Sequence, residues 1–264
     1  MPKVEVYIAQ SLIKDDLTFK DKNVIIIDVL RATSTMTVAL ANGAKEIIPA
    51  ESVSTAARIA RGSNNSLLCG ERGTKIIEGF DLGISPFDYI HEKINGKSLI
   101  FSTTNGTISI VKSKLSKSCV LASFLNLSRV IEYIKALNED VKLVCSGKLN
   151  NFCIEDAVCA GVMIKKLMDN DRNLELNDPE YAVLKLGKLL IMNSGKVTSE
   201  KIFEMLKISE HGKFLVSVGF EKDLEFCSKL DSYPFLPLFT KGVIKLKEKI
   251  DDETNIKASM KKIK

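Results

Sequence analysis

The chain has 264 residues, of which 45% are hydrophobic and 27% charged, the balance of a globular protein long enough for one large α/β domain. Its formal charge of +5 is modest, and lysines and glutamates are interspersed instead of forming a basic stripe, which argues against a nucleic-acid-binding protein. There is no run of about 18 apolar residues and no basic-then-apolar start, so we expect neither a membrane span nor a signal peptide, and a cytoplasmic location.

Strand and helix patterns alternate through the first 165 residues. Short apolar or β-branched runs predict strands at 4–9, 24–30, 46–49, 66–69, 98–102, 119–122 and 141–145. Helical periodicity lies between them at 33–42, 53–61, 106–115 and 123–137. Several strands are apolar without alternation, as expected of strands covered on both faces. The pattern predicts a three-layer α/β/α fold with a largely parallel or mixed sheet.

The remainder of the chain is mostly helical. Helical patterns occur at 155–169, 179–192, 199–206 and 210–218, whereas Pro234 and Pro237 predict an extended segment that returns over the domain. We expect a single domain over residues 1–264. It comprises an alternating β/α core to residue 165, a helical C-terminal part at 166–250 and a basic tail at 251–264.

The cysteines show no metal-binding spacing. The six are Cys69, Cys119, Cys145, Cys153, Cys159 and Cys227. None forms a C-x-x-C pair, and most lie among apolar residues. In a chain without an export signal this pattern predicts buried thiols rather than disulfides or zinc ligands.

The loop after the second predicted strand carries the first candidate site. In an open α/β sheet, ligands gather at the carboxyl ends of the strands, where helix N-termini suit phosphate. The apolar run 24–27 leads into Asp28, then Arg31, and then Thr33, Ser34 and Thr35 at a helix start. The carboxylate suits a hard cation, and the guanidinium and hydroxyls suit a phosphate or sulfonate. An ordinary turn in which Thr33 or Ser34 caps the helix stays open as the alternative.

A second phosphate-binding loop is predicted after strand 98–102. Five polar or glycine residues follow this strand: Thr103, Thr104, Asn105, Gly106 and Thr107. The loop lacks the P-loop lysine and the Walker spacing, so nucleotide binding is not implied. A polar turn with a capping residue is the alternative.

Two further loops carry charged residues. Glu71, Arg72 and Asp81 lie in a glycine-rich stretch at 70–83 that has little apolar content, although a surface loop would also fit. Strand 141–145 is followed by Ser146, Lys148 and, at the next helix start, Glu155 and Asp156. Acidic residues in a first helical turn also serve simply to complement the helix dipole.

The four loops together favour metal-assisted phosphoryl chemistry, with Mg²⁺ as the cation because the candidate ligands are oxygen atoms. No strand ends in Asp-x-Asp and no cysteine lies five residues before an arginine, which argues against covalent aspartyl-phosphate and cysteinyl-phosphate mechanisms. His91 and His211 are too few for a histidine-rich dinuclear centre. We expect His91 at the surface, His211 as a helix cap, and Cys145 buried rather than nucleophilic.

The same loops carry a family resemblance. The segments 27–35, 70–73, 79–86, 102–107, 145–147, 155–161, 211–212 and 219–220 resemble, in order, the motifs of the 2-phosphosulfolactate phosphatase (ComB-like) family. The resemblance implies a Mg²⁺-dependent phosphoric monoester hydrolase that converts (R)-2-phospho-3-sulfolactate to 3-sulfolactate. In methanogens this step belongs to coenzyme M biosynthesis.

Residues and resemblance combine into one mechanistic hypothesis. The expected metal ligands are Asp28, Glu155 and Asp156, with Glu71 or Asp81. The expected substrate-binding groups are Arg31, Arg72, Ser146 and Lys148 with the two hydroxyl-rich loops. A metal-activated water attacks the phosphate, and Asp28, Arg31, Glu155 and Asp156 are the expected catalytic residues.

The expected partner is a small phosphate ester, with no nucleic acid and no membrane; a homodimer stays open. The alternative function is a non-catalytic binding or sensor protein for a phosphorylated metabolite.

Overall fold

The structure is a computed structural model and describes residues 2–169, 174–191 and 195–247. The tail predicted at 251–264 and the end of the helix predicted at 179–192 lie outside these residues. The strands are β1 Val4–Tyr7, β2 Asn23–Ile27, β3 Glu46–Pro49, β4 Ser66–Arg72, β5 Lys75–Ile76, β6 Ser98–Ser102, β7 Ser118–Ala122, β8 Val141–Cys145, β9 Pro237–Thr240 and β10 Val243–Leu246.

The helices follow the predicted order, with additions. They are α1 Ala32–Ala41, α2 Val53–Arg61, α3 His91–Ile94, α4 Gly106–Lys112, α5 Leu127–Leu137, α6 Ile154–Met168, α7 Asp178–Ile191, α8 Ser199–Ile208, α9 Glu210–Ser217 and α10 Glu221–Cys227. No helix within the described ranges is both long and apolar enough to cross a membrane. The predicted strands and helices are confirmed with shifts of a few residues at their ends, whereas α10, β5 and the β9–β10 pair were not predicted.

The strands form one mixed sheet that contains two parallel blocks. The order is β1-β8-β2-β7-β9-β10-β3-β6-β4-β5. The strands β1, β8, β2 and β7 are parallel to one another, as are β3, β6 and β4. The pairings β7/β9, β9/β10 and β10/β3 are antiparallel, so the strand direction reverses between the two blocks. The expected largely parallel or mixed sheet is confirmed.

The β9–β10 hairpin joins the two blocks at the centre of the sheet. The chain is extended after Pro234, as its prolines predict, but it then enters the sheet instead of only covering it. The turn residues Lys241 and Gly242 have φ angles of 50° and 83°, which match a two-residue hairpin turn with positive φ at both positions. Glycine adopts this conformation without the steric penalty of a side chain.

Both faces of the sheet are covered, as the side-chain alternation of β2 illustrates. Every residue of this strand is buried. Ile25 and Ile27 pack into a core with residues of α5 and α6, whereas Val24 and Ile26 pack into a second core with residues of α1. Because successive side chains of a strand point to opposite faces, these are two cores on the two sides of one sheet. This is the expected three-layer α/β/α arrangement.

The cysteines are buried thiols, as predicted. All six are free, and all six are buried.

Candidate functional site

One cavity of about 280 Å³ gathers residues from the ends of strands in both parallel blocks. It is lined by Asp28, Leu30, Arg31, Glu71, Gly73, Thr74, Ile84, Thr103, Thr104, Asn105, Lys148, Leu149, His211 and Phe214. Asp28 follows β2, Glu71 lies near the end of β4, and Thr103 follows β6. Residues at the ends of strands from both blocks therefore line this cavity, which we call the cleft, even though the two blocks run in opposite directions. Helix α9 borders it through His211 and Phe214.

Asp28 is a buried carboxylate at the start of helix α1. Its Oδ1 atom accepts a hydrogen bond from the Ala32 N–H at 3.0 Å. Burial raises the pKa of Asp28 to about 6, and the carboxylates of Glu71 and Glu155 also raise it, while the Ala32 N–H and His211 lower it. The fold thus holds a negative charge where water solvates it poorly.

Glu71 links strand β4 to the loop after β6. Its Oε1 atom accepts hydrogen bonds from the Thr104 N–H at 2.9 Å and from the Thr104 hydroxyl at 2.8 Å. Its Oε2 atom accepts one from the Thr74 N–H at 2.9 Å. These contacts fix a second buried carboxylate at the wall of the cleft.

Helix α6 contributes two adjacent carboxylates with different surroundings. Glu155 is buried, and its Oε1 atom lies 3.3 Å from His211 Nδ1. Asp156 accepts hydrogen bonds with both oxygens, from the Val29 N–H at 2.9 Å and the Gly147 N–H at 3.0 Å. Burial, with the charges of Asp28 and Glu155, raises the pKa of Asp156 well above its usual range. Asp156 thereby ties the loops after β2 and β8 to the start of α6.

Arg31 is held in the cleft wall by helix α10. Its guanidinium forms an ion pair with Asp223 at 2.5 Å, and each of these side chains is 3% exposed. The other oxygen of Asp223 accepts a hydrogen bond from the Ser85 hydroxyl at 2.8 Å. The guanidinium also lies over the Phe220 ring, 4.3 Å from its centroid. The Leu30–Arg31 peptide bond is cis.

The hydroxyls at the start of α1 bind backbone instead of lining the cleft. Each donates to a carbonyl oxygen at 2.7 or 2.8 Å: Thr33 to Ala122, Ser34 to Val29 and Thr35 to Ile84. All three are fully buried. Arg31 occupies the N-cap position and makes no side-chain hydrogen bond to the N–H groups of the first turn, so neither Thr33 nor Ser34 caps the helix.

The loop after β6 reaches the cleft with some of its predicted residues. Thr103, Thr104 and Asn105 line the cleft. Thr107 bonds back to Thr103, since its hydroxyl accepts from the Thr103 N–H at 3.0 Å. A side chain at Gly106 would place its Cβ 2.7 Å from Asp28 Oδ2, so glycine permits the close approach of α4 to this carboxylate.

Three more of the predicted residues lie outside the lining of the cleft, like Glu155, Asp156, Gly106, Thr107 and the three α1 hydroxyls. Arg72 is exposed and donates to the Ser102 hydroxyl at 3.0 Å. Asp81 is exposed and accepts a hydrogen bond from the Leu68 N–H at 2.8 Å. The Ser146 hydroxyl is buried and has no hydrogen-bond partner among the described residues.

Lys148, in the loop after β8, lines the cleft as predicted. Lys148 Nζ lies 3.3 Å from Glu210 and 5.0 Å from the centroid of the Phe214 ring.

The two histidines differ in their relation to the cleft. The prediction that His211 caps a helix is wrong: Ser209 caps α9 by accepting the Gly212 N–H at 2.9 Å, and His211 lines the cleft. The prediction that His91 lies at the surface is confirmed. Asp223 was also missed, because an acidic residue in a first helical turn has the pattern of an ordinary helix start.

The fold and the cleft define an α/β protein with a pocket lined by acidic and basic side chains. A family profile described as 2-phosphosulpholactate phosphatase matches residues 7–242. A protein of Thermotoga petrophila named probable 2-phosphosulfolactate phosphatase is 42% identical over 227 residues, which cover 86% of this chain and 93% of that protein. Its namesake in Clostridium acetobutylicum is 36% identical over 243 residues, covering 92% and 99% respectively. The chain belongs to the 2-phosphosulpholactate phosphatase family, which confirms the resemblance and the expected enzyme class, a phosphoric monoester hydrolase.

Proposed function

We propose that this protein is a Mg²⁺-dependent phosphatase that hydrolyses 2-phospho-3-sulfolactate to 3-sulfolactate and phosphate in the described cleft. The names of its relatives support the substrate. The observation that carries the proposal is the convergence of buried carboxylates from both sheet blocks beside two basic side chains, Arg31 and Lys148. Carboxylates suit a cation, and basic groups suit the phosphate, carboxylate and sulfonate of this substrate.

The donor set is chemically suited to Mg²⁺ because it consists of carboxylate oxygens, but its three carboxylates do not all lie within 4.8 Å of one another in the structure, so they would have to close around the ion. Asp28 and Glu71 line the cleft, and Glu155 lies near enough to raise the pKa of Asp28 through its charge. We propose that these three carboxylates hold the ion. Asp156 would support the site as an anchor, because its two oxygens already accept backbone N–H groups. When bound, Mg²⁺ supplies positive charge that offsets the repulsion among the carboxylates and the charge developing on the phosphoryl group.

The remaining residues of the cleft bind and orient the substrate. The ion pair with Asp223 and the Phe220 ring restrict the Arg31 guanidinium to one position, so little side-chain freedom is lost when it meets an anion. Leu30, Ile84 and Phe214 provide apolar walls that limit the access of water.

The attacking group in this proposal is water. Burial raises the pKa of the Cys145 thiol well above its usual range, and the nearby carboxylates raise it further. A thiol held protonated is a poor nucleophile. Hydrolysis by water requires no covalent phosphoenzyme.

The rival function is a sensor that binds a phosphorylated metabolite without turning it over. The test is phosphate release from 2-phosphosulfolactate, phospholactate and 4-nitrophenyl phosphate, each with Mg²⁺ and with EDTA. We expect metal-dependent release that is fastest with 2-phosphosulfolactate, which would also agree with a role in coenzyme M biosynthesis. Faster release from another ester would contradict the substrate. No release from any ester by folded protein would favour the sensor.

A further inference from the structure

A second cavity, of about 380 Å³, adjoins the cleft beneath helix α9. Lys148, Leu149 and His211 line both cavities. The second cavity is also lined by Cys153, which immediately precedes α6, and by Glu155 in the first turn of that helix. Two helices and the loop before one of them thus bring a thiol, a carboxylate and an imidazole to one wall.

The three side chains are close enough to share one ion. One donor atom each of Cys153, Glu155 and His211 lies within 4.8 Å of the other two, and this is the one such group of three among the described residues. Tetrahedral zinc with bonds of about 2.0 to 2.3 Å requires donor atoms roughly 3.3 to 3.8 Å apart. The 3.3 Å separation of His211 Nδ1 and Glu155 Oε1 already matches this spacing. The thiol lies no more than 4.8 Å from the other two donor atoms, so a movement of at most about 1 Å completes the spacing.

The donor chemistry distinguishes this group from a magnesium site. Mg²⁺ takes oxygen ligands, whereas a set of sulfur, nitrogen and oxygen suits zinc. Three protein ligands beside a cavity leave a fourth position for water. The sequence has no C-x-x-C motif, which argued against zinc. This motif is not needed here, because His211 lies more than 50 residues after Cys153 and Glu155 and only the fold brings the three together.

The charges around the group favour a cation. Besides Glu155, the Asp28 and Asp156 carboxylates interact electrostatically with Cys153. Binding replaces the thiol proton: the S–H bond of Cys153 breaks, the sulfur electron pair forms the bond to zinc, and the proton passes to water. No oxidant or reductant is required.

We propose that Cys153, Glu155 and His211 form a zinc-binding site next to the cleft, and that zinc bound there inhibits the enzyme. The second part rests on the proposed function, since Glu155 would be shared with Mg²⁺ and His211 would be drawn from the cleft wall. The first part stands independently of any catalytic activity.

Zinc binding is tested on the full chain after treatment with EDTA and removal of the chelator. We expect one zinc ion per chain in competition with a chromogenic chelator, and a thiolate-to-metal charge-transfer band when Co²⁺ is added instead. Cys153→Ala should abolish the band and weaken zinc binding by about 100-fold or more, since even outer-shell changes cost about 10- to 100-fold. Cys119→Ala, which removes another buried thiol, should leave both unchanged. His211→Gln should weaken zinc binding while leaving the sulfur ligand in place.

Unchanged zinc affinity in folded Cys153→Ala protein, or a Co²⁺ complex of the wild type without the band, would overturn the site.

The inhibition is tested by titrating zinc into the Mg²⁺-supported phosphatase assay. We expect Cys153→Ala to need about 100-fold more zinc for half-inhibition than the wild type. Equal sensitivity would overturn the inhibitory role alone. If no ester is hydrolysed, the proposed function is wrong, but the binding measurements still show whether zinc binds at this site.

Discussion

Replacing Asp28 by asparagine should stabilise the metal-free protein at neutral pH. The change removes a buried negative charge that lies among other carboxylates, while the amide oxygen can still accept the hydrogen bond from Ala32. Asparagine has nearly the same shape as aspartate, so the packing beside Gly106 is kept. The variant should nevertheless lose the Mg²⁺-dependent activity of the proposed function, because the charge that binds the ion is gone.

The magnitude follows from the pKa of Asp28, which is about 6 in the folded protein against an ordinary value of 3.8. Between these values the native state binds more protons than the unfolded state, so the stability of the wild type falls as the pH rises through this window. The full difference corresponds to about 3 kcal/mol, at about 1.4 kcal/mol for each pH unit. The amide introduced by Asp28→Asn does not titrate, so the variant escapes this loss.

The assay is urea unfolding followed by far-UV circular dichroism in EDTA, since the chain has no tryptophan to report by fluorescence. The free energy of unfolding of Asp28→Asn minus that of the wild type should rise by about 2 to 3 kcal/mol between about pH 4 and about pH 7.5. The matched control is Asp81→Asn, which removes an exposed carboxylate that water already solvates. A difference for Asp28→Asn that stays flat or falls over this range would refute the reasoning.

Two further substitutions test the residues packed against Asp28 and Arg31. Gly106→Ala would place a methyl group 2.7 Å from Asp28 Oδ2, so it should lower the free energy of unfolding by about 1 to 3 kcal/mol and reduce turnover. Gly62→Ala, whose nearest atom would be 3.5 Å away, is the control, and thermal unfolding that ranks the two equally would contradict the close approach. Asp223→Asn leaves the Arg31 guanidinium buried without its counter-charge and should cost about 3 to 5 kcal/mol in denaturant unfolding. A loss below about 1 kcal/mol, the range of an exposed pair, would show that this ion pair is not buried in solution.

The sequence predicts the alternating β/α part of the fold better than the β9–β10 hairpin that joins the two blocks. The β/α alternation through residue 165 can be recognised in the sequence because strands such as 24–27 are apolar throughout and helices such as α2 show a helical periodicity of apolar residues. The β9–β10 hairpin was missed because its strands are only four residues long and follow a proline-rich segment. Its position between β7 and β3 depends on contacts between segments far apart in sequence, which no local pattern encodes.

Some residues of the site could likewise be identified from local sequence patterns, whereas others depend on contacts between distant segments. Asp28, Arg31 and Lys148 were identified because they follow strands, and strand ends converge in such folds. The hydroxyl residues of α1, from Thr33 to Thr35, are of the types that bind anions. They are buried, however, and donate their hydrogen bonds to backbone carbonyls. The contact between Arg31 and Asp223 joins residues 192 positions apart, so the sequence offers no sign of it.

The most direct test of the central claim is the turnover of 2-phosphosulfolactate by Asp28→Asn and Asp81→Asn beside the wild type, with saturating Mg²⁺ and with EDTA. If the buried carboxylates of the cleft hold the catalytic ion, Asp28→Asn should lose Mg²⁺-dependent phosphate release by about 100-fold or more, as expected when a metal ligand is removed. Asp81→Asn should retain it, because Asp81 lies outside the lining of the cleft. Wild-type turnover by folded Asp28→Asn protein would contradict the account.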